Sequence, residues 1–135
     1  MEITRIIAMN EKYELPVNHV PIFQGFSRLY HFRNILEKEV AEINDIIDKP
    51  MLTDEVDLLT DVADLLADII VYCHSEAVRY GIPLEEVLQI VMDSNDTKLD
   101  ADGKPIKDSD GKFLKGPNFV PPEPAIRKLL LEKMK

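Results

Sequence analysis

Residues 57–68 read DLLTDVADLLAD, and aspartates recur in this stretch at steps of four, three and four: Asp57, Asp61, Asp64 and Asp68. On an α-helix these steps place all four carboxylates on one face, within an arc of roughly 60°. Neighbouring like charges at such spacings destabilise a helix by about 0.2–0.5 kcal/mol per pair. The stretch therefore predicts a helix whose acidic face serves something other than helix stability.

The surrounding sequence favours a long helix. No Gly or Pro interrupts residues 54–80, Thr53 or Asp54 can cap the start, and Gly81 suits the C-terminal cap. Residues 27–47, SRLYHFRNILEKEVAEINDII, carry apolar side chains at helical spacing and predict the preceding helix. Pro83 is well placed in the first turn of a following helix. Two long helices joined by a short loop are expected to pack antiparallel.

The ends of the chain are less regular. Residues 3–14 predict a short first helix, and a short terminal helix begins at about Pro124. Between them, residues 96–124 are rich in Gly, Pro, Asp and Lys, and we expect a β-hairpin or an ordered loop with turns at the two Asp-Gly pairs. The prediction is an all-α antiparallel bundle in one domain over residues 1–135, with a helical core at about 25–98 and a hairpin arm and tail at about 99–135.

Composition limits the classes of function. The chain has 135 residues, of which 45% are hydrophobic, so one domain with a real core is expected. Its formal net charge of −9 disfavours nucleic acid and anionic lipid as partners. We expect no membrane span, because no apolar run approaches roughly 20 residues, and no signal peptide. Cys73 is the only cysteine. A cytoplasmic protein is the expectation.

The helix over residues 54–80 is apolar on several faces, which indicates burial between neighbours. Helices of this kind often complete their bundle with a second subunit. We therefore expect a homodimer or homotetramer.

Glu39 interrupts the apolar stripe of residues 27–47, and Glu42 follows one turn later. Antiparallel packing would bring this pair against Asp61 and Asp64. Clustered carboxylates suit a hard cation, Mg²⁺ in particular and Mn²⁺ as an alternative. The competing interpretation is that both acidic faces are simply solvated.

Three segments carry a family resemblance: Glu39-Val-Ala-Glu42, Asp61-Val-Ala-Asp64, and SNDTK at residues 94–98. The first two resemble the E-x-x-E and E-x-x-D motifs of the all-α nucleoside triphosphate pyrophosphohydrolases, the superfamily of MazG, dimeric dUTPase and phosphoribosyl-ATP pyrophosphohydrolase. The resemblance covers about residues 25–98. Asp61 departs from the pattern, because it stands where the family usually has Glu, and a water molecule could lie between its shorter side chain and a cation.

The resemblance implies a MazG-like bundle and a Mg²⁺-dependent enzyme that hydrolyses a nucleoside triphosphate, or a related nucleotide, between the α- and β-phosphates. It implies metal ligands at Glu39, Glu42, Asp61 and Asp64. Glu39 or Glu42 would act as the catalytic base, and the sequence does not separate ligand from base.

The same resemblance implies that Asn95 and Lys98 bind the substrate phosphates. Asp57 and Asp68 flank the predicted metal ligands by one helical turn, where they either surround the metal site or are simply solvated. A helix C-cap at Asn95 and a solvated Lys98 are the alternatives. Two other functions stay open for the whole chain: a non-catalytic nucleotide- or metal-binding regulator on the same scaffold, and a purely structural helical module.

Overall fold

The computed structural model describes residues 3–135, and it is all-helical over that range, with no strand. Its five helices are α1 (Ile3–Lys12), α2 (Phe26–Ile47), α3 (Glu55–Tyr80), α4 (Leu84–Asp96) and α5 (Glu123–Lys133). The described residues fall into two compact units, one ending at Ile82 and one covering Pro83–Lys135. The all-α prediction is confirmed, whereas the single domain stays a prediction.

Capping residues explain the limits of α3. The Asp54 side chain accepts a hydrogen bond from the backbone N–H of Val56 at 2.8 Å, which satisfies one free donor of the first turn. At the other end Gly81 has the left-handed conformation, with φ of 68°. Of the two predicted N-caps, Asp54 is the one observed.

Helix α3 is the centre of the first unit, because it packs against both α1 and α2. Arg28 near the start of α2 pairs with Glu76 near the end of α3, while Lys49 just after α2 pairs with Asp61. These two contacts show that α2 and α3 run antiparallel, as predicted.

Two further elements hold α3 in place. Asn10 of α1 is fully buried, donates to the carbonyl of Ser75 at 3.1 Å and accepts from the Ser75 hydroxyl at 2.6 Å. The loop before α2 satisfies carbonyls at the end of α3, since the backbone N–H of Asn18 donates to Val78 and that of Ile22 donates to Tyr80. These bonds occupy carbonyls that a helix terminus otherwise leaves free.

The second unit contains α4, α5 and the loop over residues 97–122. Two successive turns form where the Asp100 and Asp108 side chains each accept two backbone N–H groups. The predicted hairpin arm is absent from this described loop, which has a single isolated bridge between Lys107 and Phe113. The donors that a longer ladder would use are engaged elsewhere, since the Lys104 N–H donates to the Asp100 side chain and the Gly116 N–H to the Lys98 carbonyl. The ordered-loop alternative is therefore the observed one.

Much of the apolar surface of α2 and α3 stays exposed. Both helices lie wholly within the described chain; no residue of α2 is buried, and several apolar side chains of α3 are about half exposed or more. They include Val56, Leu59, Leu66 and Ile70. No helix within residues 3–135 has the length and apolar character needed to cross a membrane.

Candidate active site

Carboxylates from α2 and α3 line one small cavity, which we call the acidic groove. The cavity has a volume of about 200 Å³, and its charged lining residues are Glu42, Asp45, Lys49, Asp61 and Asp64. Leu65 and Ile46 form its apolar floor. The antiparallel register produces the groove, because it sets the C-terminal half of α2 against the N-terminal half of α3. The structure thus brings Glu42, Asp61 and Asp64 together as the sequence predicted.

The carboxylates of the groove repel one another. The negative charge of Glu39 is the main cause that raises the pKa of Glu42 above its ordinary value, followed by loss of solvation and by the charge of Asp68. An anion beside other anions gains a proton more readily, which is the direction observed. The site is therefore short of positive charge.

Glu39 is the fourth predicted ligand, and it is half-buried on α2 beside the groove. Its Oε2 atom is buried and receives no hydrogen bond of standard geometry from the described residues. Tyr72 of α3 lies beside Glu39: loss of solvation, the charge of Glu39 and a hydrogen bond with it raise the pKa of Tyr72. A buried carboxylate oxygen without a hydrogen bond of standard geometry is costly, and a cation is one group that would satisfy it.

Lys49 brings the nearest positive charge into the groove. Its Nζ lies 2.9 Å from Asp61 Oδ2, a buried oxygen that receives no hydrogen bond of standard geometry from the described residues. The contact with Asp61 raises the pKa of Lys49. Sequence reasoning missed this residue, because Lys49 lies just after the end of α2, where helical spacing no longer predicts the direction of a side chain.

The candidate ligands suit a hard divalent cation, because all of them offer carboxylate oxygens and hard cations prefer oxygen ligands. In the part of the chain that the structure describes, no three His, Cys, Asp or Glu side chains are already arranged as a metal-binding group. The carboxylates would therefore have to turn toward a shared ion, and Lys49 would have to give way at Asp61.

The remaining predicted residues lie in different places. Asp57 contributes to the raised pKa of Lys49, and Asp68 to that of Glu42, so both act on the groove through charge.

Asn95 and Lys98 belong to the second unit and line a separate cavity of about 310 Å³ there. Helix α4 continues one residue beyond Asn95 and is capped by Thr97, so the C-cap alternative for Asn95 is wrong.

A second cavity of the first unit lies among α1, α2 and α3, and its volume is about 570 Å³. At one side of this cavity Arg28 donates through Nε to both carboxylate oxygens of Glu76, at 2.9 and 3.2 Å, and Arg79 Nε lies 3.6 Å from Glu76 Oε1. The hydrogen bond to Glu76 raises the pKa of Arg28, while burial lowers that of Arg79. We call this the arginine cavity.

Comparison with known proteins identifies the fold. No family model matches the sequence, and no curated protein matches it. Among solved structures, the chain is similar to a protein from Exiguobacterium sp. 255-15 that is proposed to be an NTP pyrophosphohydrolase. The TM-score is 0.60 at 24% identity, over 83% of this chain and 68% of that chain. At this identity the likeness shows a shared fold.

Proposed function

We propose that this protein is a metal-dependent nucleoside triphosphate pyrophosphohydrolase, which cleaves an NTP or a related nucleotide between the α- and β-phosphates and releases a monophosphate and pyrophosphate. One observation carries the proposal. Carboxylates of two antiparallel helices face one groove with too little positive charge, and a buried oxygen of Glu39 receives no hydrogen bond of standard geometry from the described residues. Such a groove favours a cation that arrives together with a polyphosphate.

The proposed ligands are Glu39, Glu42, Asp61 and Asp64. When bound there, Mg²⁺ or Mn²⁺ would offset phosphate charge and lower the pKa of an attacking water molecule. The chain itself supplies a carboxylate to accept the proton of that water, either Glu39 or Glu42. Asn95 and Lys98 stay the predicted phosphate contacts.

The fold supports the same proposal. The Exiguobacterium protein shares the helical architecture and is itself proposed to act on nucleoside triphosphates. Because one fold can serve several functions, the argument depends on the groove and the likeness adds to it.

The test is release of pyrophosphate from a panel of canonical and modified triphosphates, with Mg²⁺ or Mn²⁺. Glu42→Gln and Asp64→Asn should each lose about a hundredfold or more in kcat while the protein stays folded. Glu37→Gln is the matched control, because Glu37 lies on the same helix but is exposed and pairs with Arg33. No pyrophosphate from any nucleotide with folded protein would overturn the proposal.

The Lys49 contact on Asp61 favours a second candidate, a non-catalytic regulator that binds nucleotide or metal. In this case the lysine would permanently supply charge that a catalytic cation supplies otherwise. Tight nucleotide binding without turnover, measured by calorimetry on the same panel, would favour the regulator.

The exposed apolar surface supports a further part of the proposal, that a second copy of the chain covers α2 and α3. Apolar side chains left exposed on both helices form a surface of the kind that marks a protein interface. Sedimentation equilibrium should show a dimer or tetramer, and Leu66→Asp should shift it toward monomer. Met51→Asp, in the loop between the two helices, is the control because Met51 is fully exposed.

A further inference from the structure

The arginine cavity has no part in the chemistry proposed for the acidic groove. Its volume of about 570 Å³ falls in the range of small-molecule sites, and it has room for a nucleobase and its sugar. Its lining mixes apolar, aromatic and charged side chains, which is the composition of a binding site rather than of a packing defect.

The walls of the cavity offer flat surfaces. Phe32, Tyr13, Tyr72 and His31 all line it. Aromatic rings pack favourably against the faces of nucleobases in proteins that bind single strands. Stacking of this kind accepts any base, so it contributes affinity without selection.

Discrimination between one nucleobase and another has to come from the side of the cavity that Arg28, Glu76 and Arg79 form. Within residues 3–135, the hydrogen bonds of Arg28 use Nε and Nη2, and neither its Nη1 nor the terminal nitrogens of Arg79 make one. Guanidinium groups only donate. Both side chains are more than four-fifths buried, so water has limited access to these donors.

Glu76 supplies a carboxylate acceptor beside these donors. Its Oε2 accepts a single hydrogen bond, from Arg28 Nε at 2.9 Å, which leaves that oxygen a further lone pair. This side of the cavity therefore presents several guanidinium donors next to a carboxylate acceptor. An oxo base offers the complementary edge, a carbonyl oxygen next to a ring N–H. An amino base places an N–H₂ donor against guanidinium donors instead.

The cavity also adjoins the acidic groove along α3. Asp68 lines the cavity one helical turn after Asp64, which lines the groove, and Tyr72 of the cavity lies beside Glu39. A nucleotide with its base in the cavity can thus direct its phosphates toward the groove within the same unit.

We propose that the arginine cavity is the base subsite of the hydrolase and that Arg79, with Arg28 and Glu76, selects 6-oxopurine and 4-oxopyrimidine nucleotides over their amino counterparts. This inference depends on the proposed function for the identity of the ligand as a nucleotide. It goes further in naming the chemical group that the protein reads.

The experiment compares matched pairs of monophosphates by calorimetry on the full chain without metal. IMP and AMP differ at position 6 of the purine, and UMP and CMP differ at position 4 of the pyrimidine. We expect the oxo member of each pair to bind about tenfold more tightly, or better, since one good pair of base-edge contacts discriminates by at least that order. Equal affinities within both pairs, or displacement of both members by inorganic phosphate alone, would overturn the inference.

A substitution at Arg79 tests whether this side chain causes the preference for oxo bases. Arg79→Gln should bring the affinity ratio within each pair close to one, while Arg28 still holds Glu76. Arg33→Gln is the control, because Arg33 is exposed on α2 and lies outside the cavity. It should leave the ratio unchanged. A ratio that survives Arg79→Gln in folded protein would contradict the role of this residue.

The two proposals fail in different ways. Triphosphate hydrolysis without preference between oxo and amino bases overturns the base subsite and keeps the enzyme. Selective binding of IMP and UMP without hydrolysis of any triphosphate overturns the enzyme and keeps the subsite.

Discussion

The acidic groove and the arginine cavity lie next to each other along the same helix pair, and their carboxylates are compensated in opposite ways. In the arginine cavity, Glu76 receives hydrogen bonds from Arg28 and faces Arg79. In the acidic groove, several carboxylates face Lys49, and a buried oxygen of Glu39 receives no hydrogen bond of standard geometry from the described residues. A carboxylate that the fold pairs with arginines stabilises the fold, whereas carboxylates that it leaves unpaired favour the binding of a cation.

The largest effect on stability is expected in the arginine cavity. Arg28→Met removes the main partner of a buried carboxylate, and breaking such a pair costs about 3 kcal/mol, the low end of the usual range because Arg79 still faces Glu76. Urea denaturation should show this loss in the free energy of unfolding, with Arg33→Met as the exposed control. A loss no greater than that of the control would mean that the two regions do not differ in this way.

Cation binding should reveal the opposite behaviour of the acidic groove. Mg²⁺ that binds only the folded protein stabilises it by about 2.7 kcal/mol at a hundred times Kd. Thermal denaturation should therefore shift upward with Mg²⁺, and the shift should disappear in the Glu42→Gln, Asp64→Asn double variant. If the wild type showed no shift with Mg²⁺ or Mn²⁺, the groove would not be a cation site.

A smaller effect is expected at Lys49. Because its ammonium occupies Asp61, Lys49→Met should raise the affinity for Mn²⁺ severalfold, as measured by the loss of the free-ion signal in electron paramagnetic resonance. Lys38→Met on α2, outside the lining of the groove, is the control. Unchanged or weaker Mn²⁺ binding would show that Lys49 does not compete with the cation.

The smallest effect concerns pH. The pKa of Glu42 is raised in the folded protein, mainly by Glu39 and with contributions from Asp68 and Asp45. A raised carboxyl pKa favours folding below the unfolded value of about 4.3, and the benefit is lost as pH rises through the folded value. Without metal, Glu42→Gln should therefore slightly increase thermal stability at pH 7 and lose this advantage below about pH 4. If Glu42→Gln were more stable than the wild type by the same amount at every pH, the gain would come from packing and not from the removed charge.

Local signals account for most of the fold. Apolar spacing, the Asp54 cap and Gly81 are enough to predict α2, α3 and their antiparallel packing. The carboxylates at the acidic groove could be predicted in the same way, since Glu39 interrupts an apolar stripe and the aspartates of α3 repeat with the period of a helix.

The remaining features depend on contacts between distant residues. Arg28 and Glu76 are 48 positions apart, and no local pattern links them. The arginine cavity therefore could not be predicted from the sequence. The loop over residues 97–122 was ambiguous for another reason, since two Asp-Gly turns suit a hairpin and an irregular loop equally well. The competing hydrogen bonds of Lys104 and Gly116 decide between them.

Gly81 ends α3 in the left-handed conformation, and a Cβ atom there would collide with the carbonyl of Val20. Asparagine, which tolerates this backbone conformation in most proteins, would meet the same obstacle. A library of all amino acids at position 81, sorted for folded protein, should thus return glycine alone. The loop before α2 and the end of α3 consequently constrain each other, so that a change in the backbone path of either segment requires a matching change in the other.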